Sequence, residues 1–401
     1  MFKRKILSDV SINFLSSILV LVSLQILLYP KISKISNADF FGSFVFLMSI
    51  FNFISSVIGG TGNSIFMKKY SEYKKEKKVL TGYREVISLI YLFFLLSLIP
   101  LLIYFTKLGY SLFDQLIFVI LVILITYRIY LISWFRVDLR YIEIFKANLV
   151  LSLSYLLIFI FLSDVSMIFL FIAIAELTFT IVAIGIDKKP VILLPKLSGS
   201  IRTIYKGFLI LLVSTLLVSA LKYLDRWFIN TFMDTKLLAY FYVASITGSI
   251  FSIPFNTLSN VAFSYFIQSN KVTKKTLKYL ITILPLLPIG LIVIGGVIGP
   301  IIISMLYPEY YEESLELFYI LNIGYGFLII DYLLRGFIVK FFAEKHKLFI
   351  DAISIAFCLI FLLLLTPIYS LKGVAFAFTL TFILKSLIDY VYLFIYTRRI
   401  K

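Results

Sequence analysis

The sequence predicts an all-α polytopic membrane protein with about 12 transmembrane helices. Three observations carry this. Of 401 residues, 61% are hydrophobic and 15% charged, where a soluble domain carries roughly 25% charged residues. The apolar residues come in runs of about 20, the length that crosses roughly 30 Å of hydrocarbon at 1.5 Å per residue. The formal charge of +17 sits in short clusters between those runs, where it sets orientation, so it does not read as a nucleic-acid surface. The 41 Phe and 27 Tyr suit lipid-facing surfaces and interfacial belts.

The elements follow in order. Met1-Phe2-Lys3-Arg4-Lys5 and the apolar run Val10–Tyr29 mimic a secretory signal. That run is too long for a signal core, and Tyr29-Pro30-Lys31 follows it where a cleavage site would need small residues. It is therefore predicted as a first transmembrane helix, 8–29. The second, 40–66, opens after Ala38-Asp39 and ends before the basic stretch Lys68–Arg84. Helices at 84–106 and 112–133 flank a short turn at Lys107. Those at 147–163 and 166–186 flank Ser163-Asp164. The stretch from Asp187-Lys188-Lys189-Pro190 to Lys206 then interrupts the hydrophobicity, and helices at 207–230, 237–266, 277–305, 314–340, 347–366 and 373–397 complete the chain.

Alternate connections differ sharply in charge. With the N-terminus inside, 30 of the 38 Lys and Arg residues fall on the inner side. Seven fall outside: Lys31, Lys34, Lys107, Lys222, Arg226, Lys236 and Lys372. Lys385 lies within the last helix. The positive-inside rule predicts this asymmetry for an even number of spans with both ends cytoplasmic. No connection is long enough to fold as a catalytic domain, so the function must reside among the helices. The interruption at 187–206 predicts two six-helix bundles, residues 1–200 and 201–401. The openings Asp39-Phe40-Phe41-Gly42 and Leu237-Leu238-Ala239-Tyr240-Phe241 echo one another as in duplicated transporters with parallel halves.

Cys358 and His346 are single residues of their kind. Disulfide frameworks, cysteine metal sites and structural zinc are thereby excluded, and no cofactor or catalytic residue is expected. Ionisable groups in a bilayer core cost several kcal/mol and mark candidate sites. Glu176 and Lys385 lie near the middle of the sixth and twelfth helices. Asp389 shares a face with Lys385 and is placed to pair with it, and Asp331 and Arg335 have the same i,i+4 spacing. These groups line a polar cavity or pair helix to helix. Asp9, Arg128 and Asp351 are read as snorkelling at cytoplasmic helix ends. Lys222, Asp225 and Arg226 cluster where the seventh helix meets the outside, as an anion contact or outer gate or as an interfacial anchor. Pro100, Pro254, Pro285, Pro288 and the glycines Gly59, Gly60 and Gly62 would kink helices and help shape a cavity.

Three stretches carry a family resemblance: Ser11-Ile12-Asn13-Phe14-Leu15 through Tyr29-Pro30 with Asn37-Ala38-Asp39-Phe40-Phe41-Gly42; Tyr223-Leu224-Asp225-Arg226-Trp227-Phe228-Ile229 with Leu237–Phe241; and Leu306-Tyr307-Pro308-Glu309-Tyr310. In these the chain resembles the Wzx-type polysaccharide flippases, which export O-antigen or capsule repeat units. They belong to the multidrug/oligosaccharidyl-lipid/polysaccharide exporter superfamily, which also holds the multidrug and toxic-compound extruders and the lipid II flippases. Ala239 replaces a more usual Gly. The resemblance implies a V-shaped pair of six-helix bundles around a central cavity in a bacterial cytoplasmic membrane. It implies a cargo of undecaprenyl-diphosphate-linked oligosaccharide moved from inner to outer leaflet, with a polysaccharide polymerase machinery as partner.

Depth and charge then nominate Lys385 and Arg335 as diphosphate contacts, with Lys222 and Arg226 as an outer station. Glu176, Asp331 and Asp389 are nominated to carry coupling H⁺ or Na⁺. A cation-coupled multidrug antiporter of the same fold is the alternative. A membrane polymerase or glycosyltransferase would need larger outer loops, and a major-facilitator transporter a basic loop motif where Lys68-Lys69-Tyr70-Ser71-Glu72 stands.

Overall fold

The computed structural model describes residues 2–187, 201–268, 281–342 and 344–399, and every regular element among them is helical. The first runs Phe2–Leu21 (α1), passes through a π-helical stretch at Val22–Leu28 and continues as Tyr29–Ile35 (α2). Pro30 was expected near the end of this span, yet the helix continues through it. Proline lacks an N–H and its ring crowds the carbonyl four residues back. The wider π turns just before it accommodate both defects.

Ala38–Lys75 (α3) follows, its first turn capped by the Asn37 carbonyl Oδ1, which accepts from the Phe40 amide at 2.8 Å. Val79–Lys107 (α4) and Leu112–Val137 (α5) come next. Ser111 caps α5, accepting from the Asp114 amide at 3.1 Å while donating to its carboxylate at 2.6 Å. Tyr141–Phe161 (α6) and Ile168–Ile186 (α7) complete the first six spans. Beyond the break lie Ile201–Phe232 (α8), Thr235–Gln268 (α9), Leu286–Leu306 (α10), Tyr311–Phe341 (α11) and Glu344–Arg399 (α12). Most of the basic interruption and the expected start of a helix at 277 lie outside the described residues.

Among the described residues ten helices are long and apolar enough to cross a membrane, and one of them, His346–Arg398, is 53 residues long, enough for two crossings. With α9 this makes about 12 spans, as expected. The two crossings of α12 meet at Ser370, whose φ of 51° and ψ of −130° break the helix three residues after Pro367. A non-glycine residue with positive φ is strained by its Cβ, and a β-branched residue more so. Ser370→Val is therefore expected to cost about 1–2 kcal/mol, read as a lower melting temperature of the purified protein, with no change for Ser370→Gly or a small gain.

The chain divides into two compact units, one of Met1–Ile35 and Leu47–Ser219, the other of Ser36–Phe46 and Ala220–Lys401. In the first, α1 packs on α6, and α5, α6 and α7 pack on one another. Its aromatic residues gather in two clusters. Phe51, Phe105, Phe118 and Phe169 meet with centroids 5.0–6.2 Å apart. Tyr83 stacks on Tyr130 at 4.5 Å, beside Phe66 and Trp134, and the Tyr130 hydroxyl donates to the Tyr83 carbonyl at 2.8 Å. In the second unit α11 is central, packing against α9, α10 and α12. Close helix contact needs small residues in membranes: a Cβ on Gly324 would sit 2.8 Å from the Thr379 Cα. Thr379 itself donates to the Ile320 carbonyl at 2.8 Å. Leu92, Leu95, Leu96, Ile99 and Ile103 form an exposed apolar stripe on α4, and Leu286, Ile289, Val293 and Val297 one on α10. Such stripes face lipid.

Candidate functional site

Among the described residues three charged constellations lie within the spans. The densest is in the second unit, where α11 and the two crossings of α12 each carry an acid and a base four residues apart: Asp331 and Arg335, Lys347 and Asp351, Lys385 and Asp389. Four-residue spacing puts each pair on one helix face, but the main contacts form between crossings. The Lys347 ammonium donates to Asp331 at 2.7 Å and lies 3.4 Å from Asp351. The Lys385 ammonium lies 3.1 Å from Asp351 and 3.4 Å from Asp331. Lys385 thus pairs across to Asp331 and Asp351, not with Asp389 on its own face. Asp389 is 0% exposed and neither of its oxygens accepts a hydrogen bond from a described group; Asp331, Lys347 and Lys385 surround it. Arg335 is half-buried one turn from Asp331, whose two ion-pair partners are the lysines.

Asp351 was read as snorkelling, and this is corrected: it is 1% exposed and paired. Lys347 escaped sequence reasoning because it stands at a helix start among loop cations. Its spacing from Asp351 was the available signal.

The second constellation is on α8. That helix runs to Phe232, so Lys222 and Arg226 lie ten and six residues inside its end, about 15 and 9 Å at 1.5 Å per residue. They belong to the span, deeper than the outer boundary where the sequence placed them. The Arg226 guanidinium is flanked by the Tyr223 and Tyr242 rings, each 5.4 Å away, and the Lys222 ammonium is 5.1 Å from the Tyr223 ring. Tyr325 and Tyr332 stand nearby. Gly248 leaves the room that the Tyr325 ring fills. Among the described residues neither cation forms an ion pair, the Arg226 Nε has no acceptor, and Lys222 is exposed. Asp225 is buried, with one carboxylate oxygen unbonded.

The third is in the first unit. Glu176, expected near the middle of its helix to line a polar cavity or pair helix to helix, is 1% exposed and accepts from Arg128 Nε at 2.6 Å and from the Tyr155 hydroxyl at 2.9 Å. Arg128 lies nine residues inside the end of α5, about 14 Å. It is therefore an interior ion pair and not a snorkelling cation. Asp9, read the same way, is likewise buried at 7% exposure. A polar seam between α1 and α6 adds a 2.7 Å bond from Asn148 to Ser16. Among the described residues no group of three or more His, Cys, Asp or Glu side chains is arranged to hold a metal ion. Cys358 is a buried free thiol.

The described residues form an all-helical chain of about 12 spans with charged groups in its interior. No family profile matches the sequence, and no curated protein does. Among solved structures the chain is similar to an inward-facing multidrug resistance MATE family transporter of the MOP superfamily, with a TM-score of 0.66 and 12% identity over 96% of this chain and 95% of that one. It is similar to the Vibrio cholerae MATE transporter VcmN, with a TM-score of 0.66 and 14% identity over 99% and 97%. It is also similar to the lipid II flippase MurJ in an inward closed conformation, with a TM-score of 0.67 and 20% identity over 98% and 87%. At these identities the fold is what is shared.

Proposed function

We propose that this protein is a Wzx-type flippase of the MOP superfamily. It moves undecaprenyl-diphosphate-linked oligosaccharide repeat units from the inner to the outer leaflet of a bacterial cytoplasmic membrane, for O-antigen or capsule assembly. The observation that carries this reading is the pair Lys222 and Arg226, set inside a span, framed by tyrosines and in no ion pair among the described residues. A cation held at that depth is costly. A diphosphate would compensate both charges through charge-assisted hydrogen bonds, and tyrosine faces and hydroxyls suit sugars. Arg335, half-buried on α11, is a further candidate contact. Lys385 is enclosed between Asp331 and Asp351 and is assigned to the coupling network instead. Asp389 and Asp331 are its carriers of H⁺ or Na⁺.

The likeness to MATE transporters favours a second reading, a cation-coupled small-molecule antiporter. Binding an organic cation calls for open acids. Glu176, Asp331 and Asp351 are instead each paired with a base, and Asp389 and Asp225, which keep unbonded carboxylate oxygens, are buried, which supports the anionic cargo. If the second reading holds, neutralising Glu176 abolishes drug resistance.

The test is the leaflet distribution of lipid-linked oligosaccharide in a strain lacking this gene. Complete repeat units are expected to accumulate on the cytoplasmic face and to be presented outside once the gene is restored. Normal outward presentation, in a strain with no redundant exporter, would sink the proposal.

A further inference from the structure

Arg128 is tethered by one edge. Its Nε donates to one Glu176 oxygen at 2.6 Å, and the other Glu176 oxygen accepts from Tyr155 at 2.9 Å, so both carboxylate oxygens are committed and the carboxylate is held from two sides. The guanidinium lies over the Phe179 ring at 6.0 Å. A purely structural arginine–carboxylate pair gains most from a two-bond fork. Here the terminal amino groups, which form the fork that fits phosphate, have no acceptor among the described residues. The Arg128 side chain as a whole is 20% exposed where Glu176 is 2%.

The exposed stripe of α5 is Leu116, Ile120 and Ile123, and at about 100° per residue Arg128 stands roughly 80° around the helix from Ile120 and 140° from Ile123, beside that stripe and not on it. The pair is neutral as a whole, which lets an arginine rest inside a span, yet its donors remain unspent.

We infer that Arg128 is an oxyanion-binding residue of the first unit, with Glu176 and Tyr155 as positioning residues that aim its amino groups at a phosphoryl ligand. In naming the exported lipid diphosphate as that ligand the inference rests on the export reading above. The anion site itself does not. Glu176 then serves to orient a cation and is not a carrier of the coupling ion.

The experiment is modification of the full-length protein by phenylglyoxal, an arginine reagent, with mass spectrometry reading Arg128 and Arg226 separately. Probes are inorganic pyrophosphate, undecaprenyl diphosphate, and vesicles with or without phosphatidylglycerol. Arg128 is expected to react, and pyrophosphate to slow that reaction. Stronger protection by undecaprenyl diphosphate assigns the site to cargo, and equal protection by phosphatidylglycerol assigns it to membrane lipid; both support the site. Arg128→Lys keeps the charge and loses the fork. It should lower undecaprenyl diphosphate affinity about tenfold or more, the loss expected of one charge-assisted hydrogen bond, with an unchanged melting temperature. Tyr155→Phe should raise the pyrophosphate concentration needed for protection while Arg128 stays reactive. An Arg128 that does not react, or that reacts unprotected by every probe, overturns the inference. If Arg226 alone is protected by undecaprenyl diphosphate, this inference fails and the export reading stands. If neither arginine is protected by it and the carrier stays correctly presented in the deletion strain, the export reading fails with it.

Discussion

Lys385→Met is expected to destabilise the protein by about 3–5 kcal/mol, the cost of leaving a buried charge without its partner, and to lower its melting temperature on the order of 10 °C. The Lys385 ammonium lies between Asp351 at 3.1 Å and Asp331 at 3.4 Å, and all three residues are at most 3% exposed. Removing it leaves Lys347, among the described residues, as the only lysine facing three aspartates. Both Asp351 oxygens lack hydrogen-bond donors among the described residues, so the two lysines supply its compensation. Methionine keeps the volume of the side chain, which separates loss of charge from loss of packing. Adding Asp351→Asn removes the surplus acid, and the double variant should recover most of the loss. Melting curves of the detergent-purified single and double variants check this as a double-mutant cycle. A single variant that melts like the wild type would mean that these groups do not depend on one another, and the coupling role assigned to Asp331 and Asp389 would lose its basis.

The second large effect concerns transport. Lys222→Gln combined with Arg226→Gln should weaken binding of an undecaprenyl-diphosphate carrier ~100-fold or more, since hydrogen bonds to charged groups contribute about 1.5–3 kcal/mol each. The melting temperature should stay within a few degrees, because neither cation is in an ion pair among the described residues and glutamine still donates toward the tyrosine-lined space. Flipping of a fluorescent carrier in proteoliposomes, compared with titrated binding, is the measurement. Retained flipping at wild-type rates would remove α8 from the transport path. Loss of transport with unaltered binding would make these residues part of a gate.

Much of the fold was legible because crossing a membrane is a local property. Each span declares itself by about 20 consecutive apolar residues. The starts of α3 and α5 could be read from Asn37 and Ser111, whose side chains cap the helix that follows within three residues. Pro30 misled, because whether a proline ends a helix depends on whether the turns before it can widen, and here Val22–Leu28 do. The site was legible only as an inventory. Glu176, Asp331, Lys385 and Asp389 stood out because charge is rare at depth, but Lys347 and Arg128 were lost among the cations of helix ends.

From the sequence alone came the number of spans and the charges that had to be accounted for inside the membrane. Tertiary structure decided who pairs with whom. Lys385 passes over the acid on its own face and is shared by Asp331 and Asp351, one on another helix and one on the other crossing of α12. Arg128 leaves its predicted interface for Glu176 on α7. The physical reason is distance. Hydrophobicity is summed residue by residue along a helix, whereas an ion pair forms only when two side chains come within about 4 Å. Which ones do so is set by how the helices rotate and pack.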